Sequence, residues 1–462
     1  MCSTKKDSIQ PFEYLRGWQL DDATSLNSIC WTKDAKGRPL LCAAGSSPRA
    51  ILIFDLEHDE PIRVLPGHGR AINDLQISPL STDILVSASE DYSIRIWNLN
   101  SKHEKQPCRA IFAGQGHQQP LLTIDFHPNG RWLLSGAMDT AIALWAVPPL
   151  SELDEKTDDN LEPRVIAYPC FISQEIHSNY VDCVKWYGDS ILSRAARAPS
   201  DGIDKKMEKN EILLWKIDRF DCGMPHPDPP MPYPGISTRS AFPHSEHSRG
   251  FERLLTFDAK STARFYLRFG LLYQPNMRPI LVMGNETSKF YFWDLQKCEE
   301  GEDIVKKGKG GRKKAVKGGL NVESLNRLGG LRRDGSVASD GASGKPSPNP
   351  FPSTHPTIPE SQSPCTNKYS PTAFNTNNSS TSASAVQDAS ASVSASAPNM
   401  RSATDDPMRA LLPQYTASPA TTLPNKDTHF ATSQMSWSPD GKWLVGVGDQ
   451  GMVVVFRREG GR

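Results

Sequence analysis

At 462 residues the chain has room for several domains, or for one large repeat architecture carrying insertions. Lys+Arg and Asp+Glu both total 52 and cancel, so no net field argues for nucleic acid, a membrane surface or an acidic substrate. Hydrophobic residues make up only 37%, which predicts that part of the length stays outside any core.

The chain opens on MCSTKKDSIQPFEYL, which lacks the apolar run of a signal peptide, and no later stretch approaches the apolar length of a membrane span. The reading is a soluble, non-secreted protein. Its nine cysteines are scattered and none falls in a CxxC, which reads as a reduced intracellular chain without a disulfide framework or a metal centre. Residues 1–23 hold one strand-like run, IQPFEYLRGWQL (9–20).

From residue 24 onward a unit repeats. SICWTKDAKGRPLLCAAGSSPRAILIFDL (28–56) is a weak copy. GHGRAINDLQISPLSTDILVSASEDYSIRIWNLN (67–100) and GHQQPLLTIDFHPNGRWLLSGAMDTAIALWAV (116–147) are strong ones. Each strong copy opens on Gly-His, alternates apolar and polar residues, turns, reaches Ser-Ala or Ser-Gly, then an Asp, and closes on Trp. That is three short strands in about 30 residues with turn chemistry between them. HSNYVDCVKWYGDSILSRA (177–195) with NEILLWKI (210–217), and FYLRFGLLYQPNMRPILVMGNETSKFYFWDLQ (265–296), repeat the plan. SQMSWSPDGKWLVGVGDQGMVVVFRR (433–458) is a further weak copy.

These repeats resemble WD40 repeats, whose period is about 40–45 residues per four-stranded blade. The resemblance implies an all-β propeller with six blades visible and residues 9–20 as the outer strand of a preceding blade. It implies that His68, Asp91 and Trp97 form one buried hydrogen-bonded network and His117, Asp139 and Trp145 another. His177 with Trp215, and Trp293 with Asp294, match in part. Recurrence at blade spacing makes these His and Asp residues structural, since a buried polar group needs a partner. The propeller is expected over 24–298 and again over 420–462.

Two segments interrupt the pattern. Residues 218–250 are too Pro-rich for a central strand and read as a long loop. Residues 299–419 begin CEEGEDIVKKGKGGRKKAVKGG and continue through NTNNSSTSASAVQDASASVSASAPN. Such a composition cannot bury enough apolar surface to offset its ordering entropy, so a disordered insertion is expected. Its basic run, Lys306, Lys307, Lys309, Arg312, Lys313, Lys314 and Lys317, reads as a nuclear-localisation signal or nucleic-acid contact, or as a solubilising charge run. The insertion follows Trp293-Asp294, the end of a blade's third strand, and precedes TTL (421–423), read as the fourth. That places it on the bottom of the propeller.

No phosphate loop, zinc-protease HExxH, GxSxG elbow or Rossmann glycine pattern is present, and no catalytic residue or cofactor is expected. The default reading is a rigid binding platform. Two functions stay open at this point: a generic WD40 protein-interaction adaptor and a propeller enzyme.

IHSNYVDCVKWYGDSILS (176–193), GHGRAINDL (67–75), RLLTFDAKSTARFYLRF (253–269) and GNETSKFYFWDLQ (284–296) resemble the embryonic ectoderm development (EED) and extra sex combs proteins. Those are the seven-bladed WD40 subunits of Polycomb repressive complex 2 (PRC2). The resemblance implies a nuclear, non-catalytic subunit that holds a SET-domain histone methyltransferase and contacts other PRC2 subunits. It also implies reading of trimethyl-lysine on the histone H3 tail in an aromatic cage at the propeller's top, with possible weak DNA contact through the basic insertion. Phe265 and Tyr266 fall on two cage positions and Arg268 on a neighbouring arginine. A third cage position is Asn27 here, and the fourth belongs to the blade that is not found. Rings suit such a ligand because a quaternary ammonium gains ~0.5–2 kcal/mol from each ring face it touches.

Overall fold

In the computed structural model, residues 2–4, 12–14, 16–154, 162–196, 211–230, 237–245, 248–300, 414–415, 421–422 and 430–458 are described. All of them belong to one compact unit spanning 1–331 and 401–462. The basic run from Lys306 to Lys317 and nearly all of the expected insertion lie outside the described residues. None of the described helices is long and apolar enough to cross a membrane.

Among the described residues, six sheets built mainly of antiparallel pairs follow one another as propeller blades. The second shows why the sequence folds this way. Ile72–Ser78, Ser81–Ser89 and Ile94–Asn98 carry branched and aliphatic residues that suit a pleated surface. They are separated by short turns, Cys108–Phe112 is the fourth strand, and Arg164–Ile166 pairs parallel outside it. In the third blade Gly130 takes a φ of 70° in the turn before Trp132–Ala137. A Cβ there would come within 2.6 Å of the Leu80 side chain, so any other residue would combine backbone strain with a displaced neighbour.

The innermost strands of the first four blades are Ser25–Lys33, Ile72–Ser78, Leu121–Phe126 and Val181–Tyr187. Gly270–Leu272 and Thr432–Trp437 are those of the fifth and sixth. Ser28, Asp74, Thr123, Lys185, Arg268 and Gln434, one from each blade, line a common cavity of about 450 Å³. That cavity is the central channel. Thr421–Thr422 pairs antiparallel with Lys289 and Phe290 and forms the fifth blade's outer strand.

Two regions differ from the sequence reading. The Pro-rich stretch 218–250 was expected to be loop, but Thr238–Ser240 joins the third blade as a fifth strand beside Phe171–Ser173. An outermost position tolerates what a central one would not, because one backbone edge needs no partner. Near the N-terminus, Phe12–Tyr14 pairs with Cys2–Thr4 in a separate two-stranded ladder. Trp18 and Leu20 then pack against Ala43, Leu52 and Phe54 of the first blade.

The polar networks form around a residue the sequence reading did not assign. His68 bonds Asp91 through Nδ1 at 2.8 Å and the Ser87 hydroxyl through Nε2 at 2.7 Å. Trp97 Nε1 donates to the same hydroxyl at 2.8 Å. Ser135 plays this part between His117 and Trp145, and Ser193 between His177 and Trp215. Asp139 accepts from His117 at 3.1 Å.

Trp293 and Asp294 do not form such a network. The serine lies ten residues before the tryptophan in the second and third blades, and in the fifth that position is Met283. A thioether offers the indole no comparable acceptor, and Trp293 Nε1 is buried without a hydrogen-bond partner among the described residues. Asp294 instead accepts from the Lys297 N–H at the start of helix Leu295–Glu300 and pairs with Arg278.

Ser87→Ala strands both His68 Nε2 and Trp97 Nε1 and is expected to cost about 1–3 kcal/mol in urea unfolding. Acid should act on the same network. Burial holds the His68 pKa below its ordinary 6.5, with Asp91 pulling the other way. Burial pushes the Asp91 carboxyl up, but His68, Ser93 and the Gly69 N–H outweigh it and hold it below 3.8. In acid the unfolded chain therefore binds protons that the folded chain refuses, first at histidine and then at the carboxylates. Thermal melts should show stability falling as pH drops through 6.5 and again below 3.8. A rise in stability on acidification contradicts this account.

Candidate functional site

The stretch STARFYLRFG holds two adjacent aromatics, which alternate strand geometry would send to opposite faces. The structure answers the puzzle with a turn. Residues 264–266 precede the strand Gly270–Leu272, and Tyr266 adopts a left-handed backbone with φ of 60°. The Phe265 and Tyr266 rings then meet at 4.2 Å between centroids, inclined by 62°. Leu267 and Phe269 are buried in the core beneath them.

A left-handed conformation is costly for a bulky residue and persists only where its surroundings fix it. Two buried groups do so here. The Asp182 carboxylate accepts the Tyr266 N–H at 3.0 Å and pairs with Arg194. Arg194 in turn donates to the carbonyls of Thr262 and Arg264, the latter at 2.8 Å. Asp182 and Arg194 side chains are 0% and 2% exposed. Burial pushes the Asp182 carboxyl above its ordinary value, and Arg194 pulls it back. The pair therefore clamps both ends of the aromatic turn.

Sequence reading missed Tyr180. It lies in NYVDCVKW just before Val181–Tyr187, is 41% exposed, and meets Phe265 edge-on at 6.1 Å. Its neighbour Asp182 is the clamp, so the spacing Tyr-x-Asp was the available signal. The three rings form one aromatic surface at the leading ends of the fourth and fifth blades. Burial pushes the Tyr266 phenol up to about 12, against Arg268, so its ring stays neutral at ordinary pH.

Arg268 does not belong to that surface. Its guanidinium reaches across the channel to Asp74 at 2.8 Å and to the Leu122 carbonyl at 2.6 Å, and the residue is 9% exposed. Burial opposes its charge, but Asp74 outweighs burial and raises its pKa. It is a staple beneath the aromatic turn. Asn27 is exposed, with its amide nitrogen bonded to the Ile72 carbonyl and to Asn73 Oδ1, both at 3.1 Å.

A second cluster, His127, Asp189 and Cys222, brings metal-ligating atoms within 4.8 Å of one another. The Asn129 N–H donates to His127 Nδ1 at 3.2 Å. That leaves the ring proton on Nε2, the atom facing Asp189, whereas a metal-ligating histidine donates from its other nitrogen. The group staples a turn.

With this geometry in hand, comparisons with known proteins find the following likenesses. The family model described as "WD domain, G-beta repeat" matches residues 59–98 and 107–146. The chain is 41% identical over 293 residues to Polycomb protein EED of Chaetomium thermophilum, an alignment covering 61% of this chain and 48% of that protein. It is 30% identical over 280 residues to Polycomb protein esc of Drosophila melanogaster, covering 58% of this chain and 57% of that one. The chain thus spans about half the length of these curated relatives. Among solved structures, a humanized mutant of the Chaetomium thermophilum Polycomb Repressive Complex 2 bound to the inhibitor GSK126 aligns with a TM-score of 0.68 at 27% identity. That alignment covers 99% of this chain and 88% of the other. The structure of ctPRC2 in complex with H3K27me3 and H3K27M aligns with a TM-score of 0.66 at 28% identity, covering 99% and 88%.

Removing one member of the Asp182–Arg194 pair leaves the other charged and buried. Asp182→Ala and Arg194→Ala are each expected to lose about 3–5 kcal/mol in chemical unfolding. Asp182→Ala combined with Arg194→Ala should lose clearly less than the two single losses added together. Strict additivity would show that the pair does not act as a unit.

Proposed function

Because the chain belongs to the EED and extra sex combs family of WD40 proteins, we propose that it is the non-catalytic scaffold and histone-reading subunit of a nuclear PRC2. In this reading it holds a SET-domain methyltransferase, works beside the other PRC2 subunits, and receives trimethyl-lysine of the histone H3 tail. The observation that carries the reading is the aromatic turn. Phe265 and Tyr266 stand edge to face, Tyr180 borders them, and a buried ion pair sets the backbone that presents them.

The physical chemistry fits a poorly hydrated cation. A trimethylammonium group has no N–H to satisfy, loses little on leaving water, and is attracted to the negative faces of neutral rings. Arg268, which would repel such a ligand, has its charge committed to Asp74 below. A rigid platform also suits scaffolding, since the blades are tied across the channel. Support for the complex itself comes from the relatives, and for the ligand from the solved complex that contains H3K27me3.

Two measurements test this. A trimethylated H3-tail peptide should bind more tightly than the unmodified peptide, and Tyr266→Ala should weaken it about tenfold, as expected for a ring worth ~1–2 kcal/mol. Equal binding of the two peptides removes the reader. A SET-domain methyltransferase should copurify with the tagged chain from its native nuclei, and failure to do so removes the scaffold.

A further inference from the structure

We propose that this site binds dimethyl-lysine at least as tightly as trimethyl-lysine, because Asn27 and Glu90 present hydrogen-bond acceptors on the rim that faces the aromatic turn across the channel. The proposal rests on the methyl-lysine reading above and concerns which methylation state that site prefers.

Three structural elements converge on residues 71–74 at the leading end of the second blade's inner strand. The first is Asn27. The Leu121 carbonyl can only accept, so Asn73 must turn its amide nitrogen toward it, at 2.7 Å. Asn73 Oδ1 then faces Asn27, and with the Ile72 carbonyl it fixes the Asn27 amide nitrogen inward. Among the described residues the Asn27 Oδ1 has no partner, which leaves it as a spare acceptor on an exposed side chain.

The second element is the turn between Ser81–Ser89 and Ile94–Asn98, where the Glu90 N–H donates to the Ala71 carbonyl at 2.8 Å. That bond places Glu90 on the same rim. Its side chain is half-buried, and among the described residues its carboxylate has no hydrogen-bond or ion-pair partner. The third element is the aromatic turn, tied to the same residues by Arg268, which donates to the Asn73 carbonyl and pairs with Asp74. Glu90 lies near enough to Tyr266 for its charge to raise the phenol pKa.

The chemistry of the two ligands then differs. Trimethylammonium has no N–H, so it gains only cation–π attraction and long-range charge attraction. Dimethylammonium keeps one N–H, and burying that donor against rings alone leaves it unsatisfied. An all-aromatic wall therefore selects for the third methyl. A carboxylate or amide oxygen at the wall reverses the balance by accepting that N–H, most strongly where the acceptor is charged.

The experiment titrates the full chain with four H3-tail peptides carrying zero, one, two or three methyl groups on one lysine. The dimethyl peptide is expected to bind as tightly as the trimethyl peptide or more tightly. Glu90→Gln should weaken the dimethyl peptide about five- to tenfold and the trimethyl peptide less, and Asn27→Tyr should shift preference toward trimethyl. A wild-type preference for trimethyl of threefold or more, with Glu90→Gln weakening both peptides equally, overturns the proposal and leaves the reader intact. Equal binding of all four peptides overturns the reader and this proposal with it.

Discussion

Buried carboxylates on the inner strands, Asp74, Asp125 and Asp182, hold this propeller in register around its channel. Asp74 accepts the Ile124 N–H of the third blade at 3.0 Å, the Ser28 hydroxyl of the first at 3.2 Å, and Arg268 of the fifth. Asp125 accepts the Trp186 N–H of the fourth blade and pairs with Lys185. Asp182 repeats the device toward the fifth through Tyr266. Each carboxylate exchanges water for a backbone donor and a cation, so no buried charge stands alone. The aromatic turn is a product of this scheme: the last of the three contacts fixes Tyr266, whose backbone is left-handed.

How much of this was legible in the sequence follows from the range of each interaction. The blades could be read because the Trp, the Asp and the turn residues recur within a few tens of residues. The hydroxyl that joins histidine to tryptophan was harder to see, since serine is common in strands and only the register shows Ser87 diagonal to Trp97. The fifth blade lacks the network because Met283 stands in the serine's place and no histidine lies between His247 and His355. Arg268 was placed beside the aromatic pair by family resemblance, yet its partner Asp74 lies 194 positions distant. Spacing along the chain carries no trace of a contact across a channel. Tyr180 escaped notice because it opens an ordinary first strand, and its value depends on Phe265 arriving from the next blade.

Stability and recognition therefore share residues at the rim without being the same property. His–Ser–Trp networks and apolar clusters stabilise the individual blades, and removing one weakens the fold. The Asp182–Arg194 clamp also sets a local geometry, in which the cost of a strained residue is met by the surrounding hydrogen bonds. Leucines could replace the pair with modest loss of stability, because buried ion pairs are often matched by apolar side chains of similar volume. They could not accept the Tyr266 N–H or hold the carbonyls of Thr262 and Arg264.

That contrast gives the most direct test of the account. Binding of the trimethylated H3-tail peptide should be measured by calorimetry for Asp182→Leu combined with Arg194→Leu, beside wild type, with unfolding followed on the same samples. The account predicts a folded protein that has lost at least tenfold in peptide affinity, about 1.4 kcal/mol. A folded double variant that binds the peptide as wild type does would contradict the claim that this buried pair builds the site.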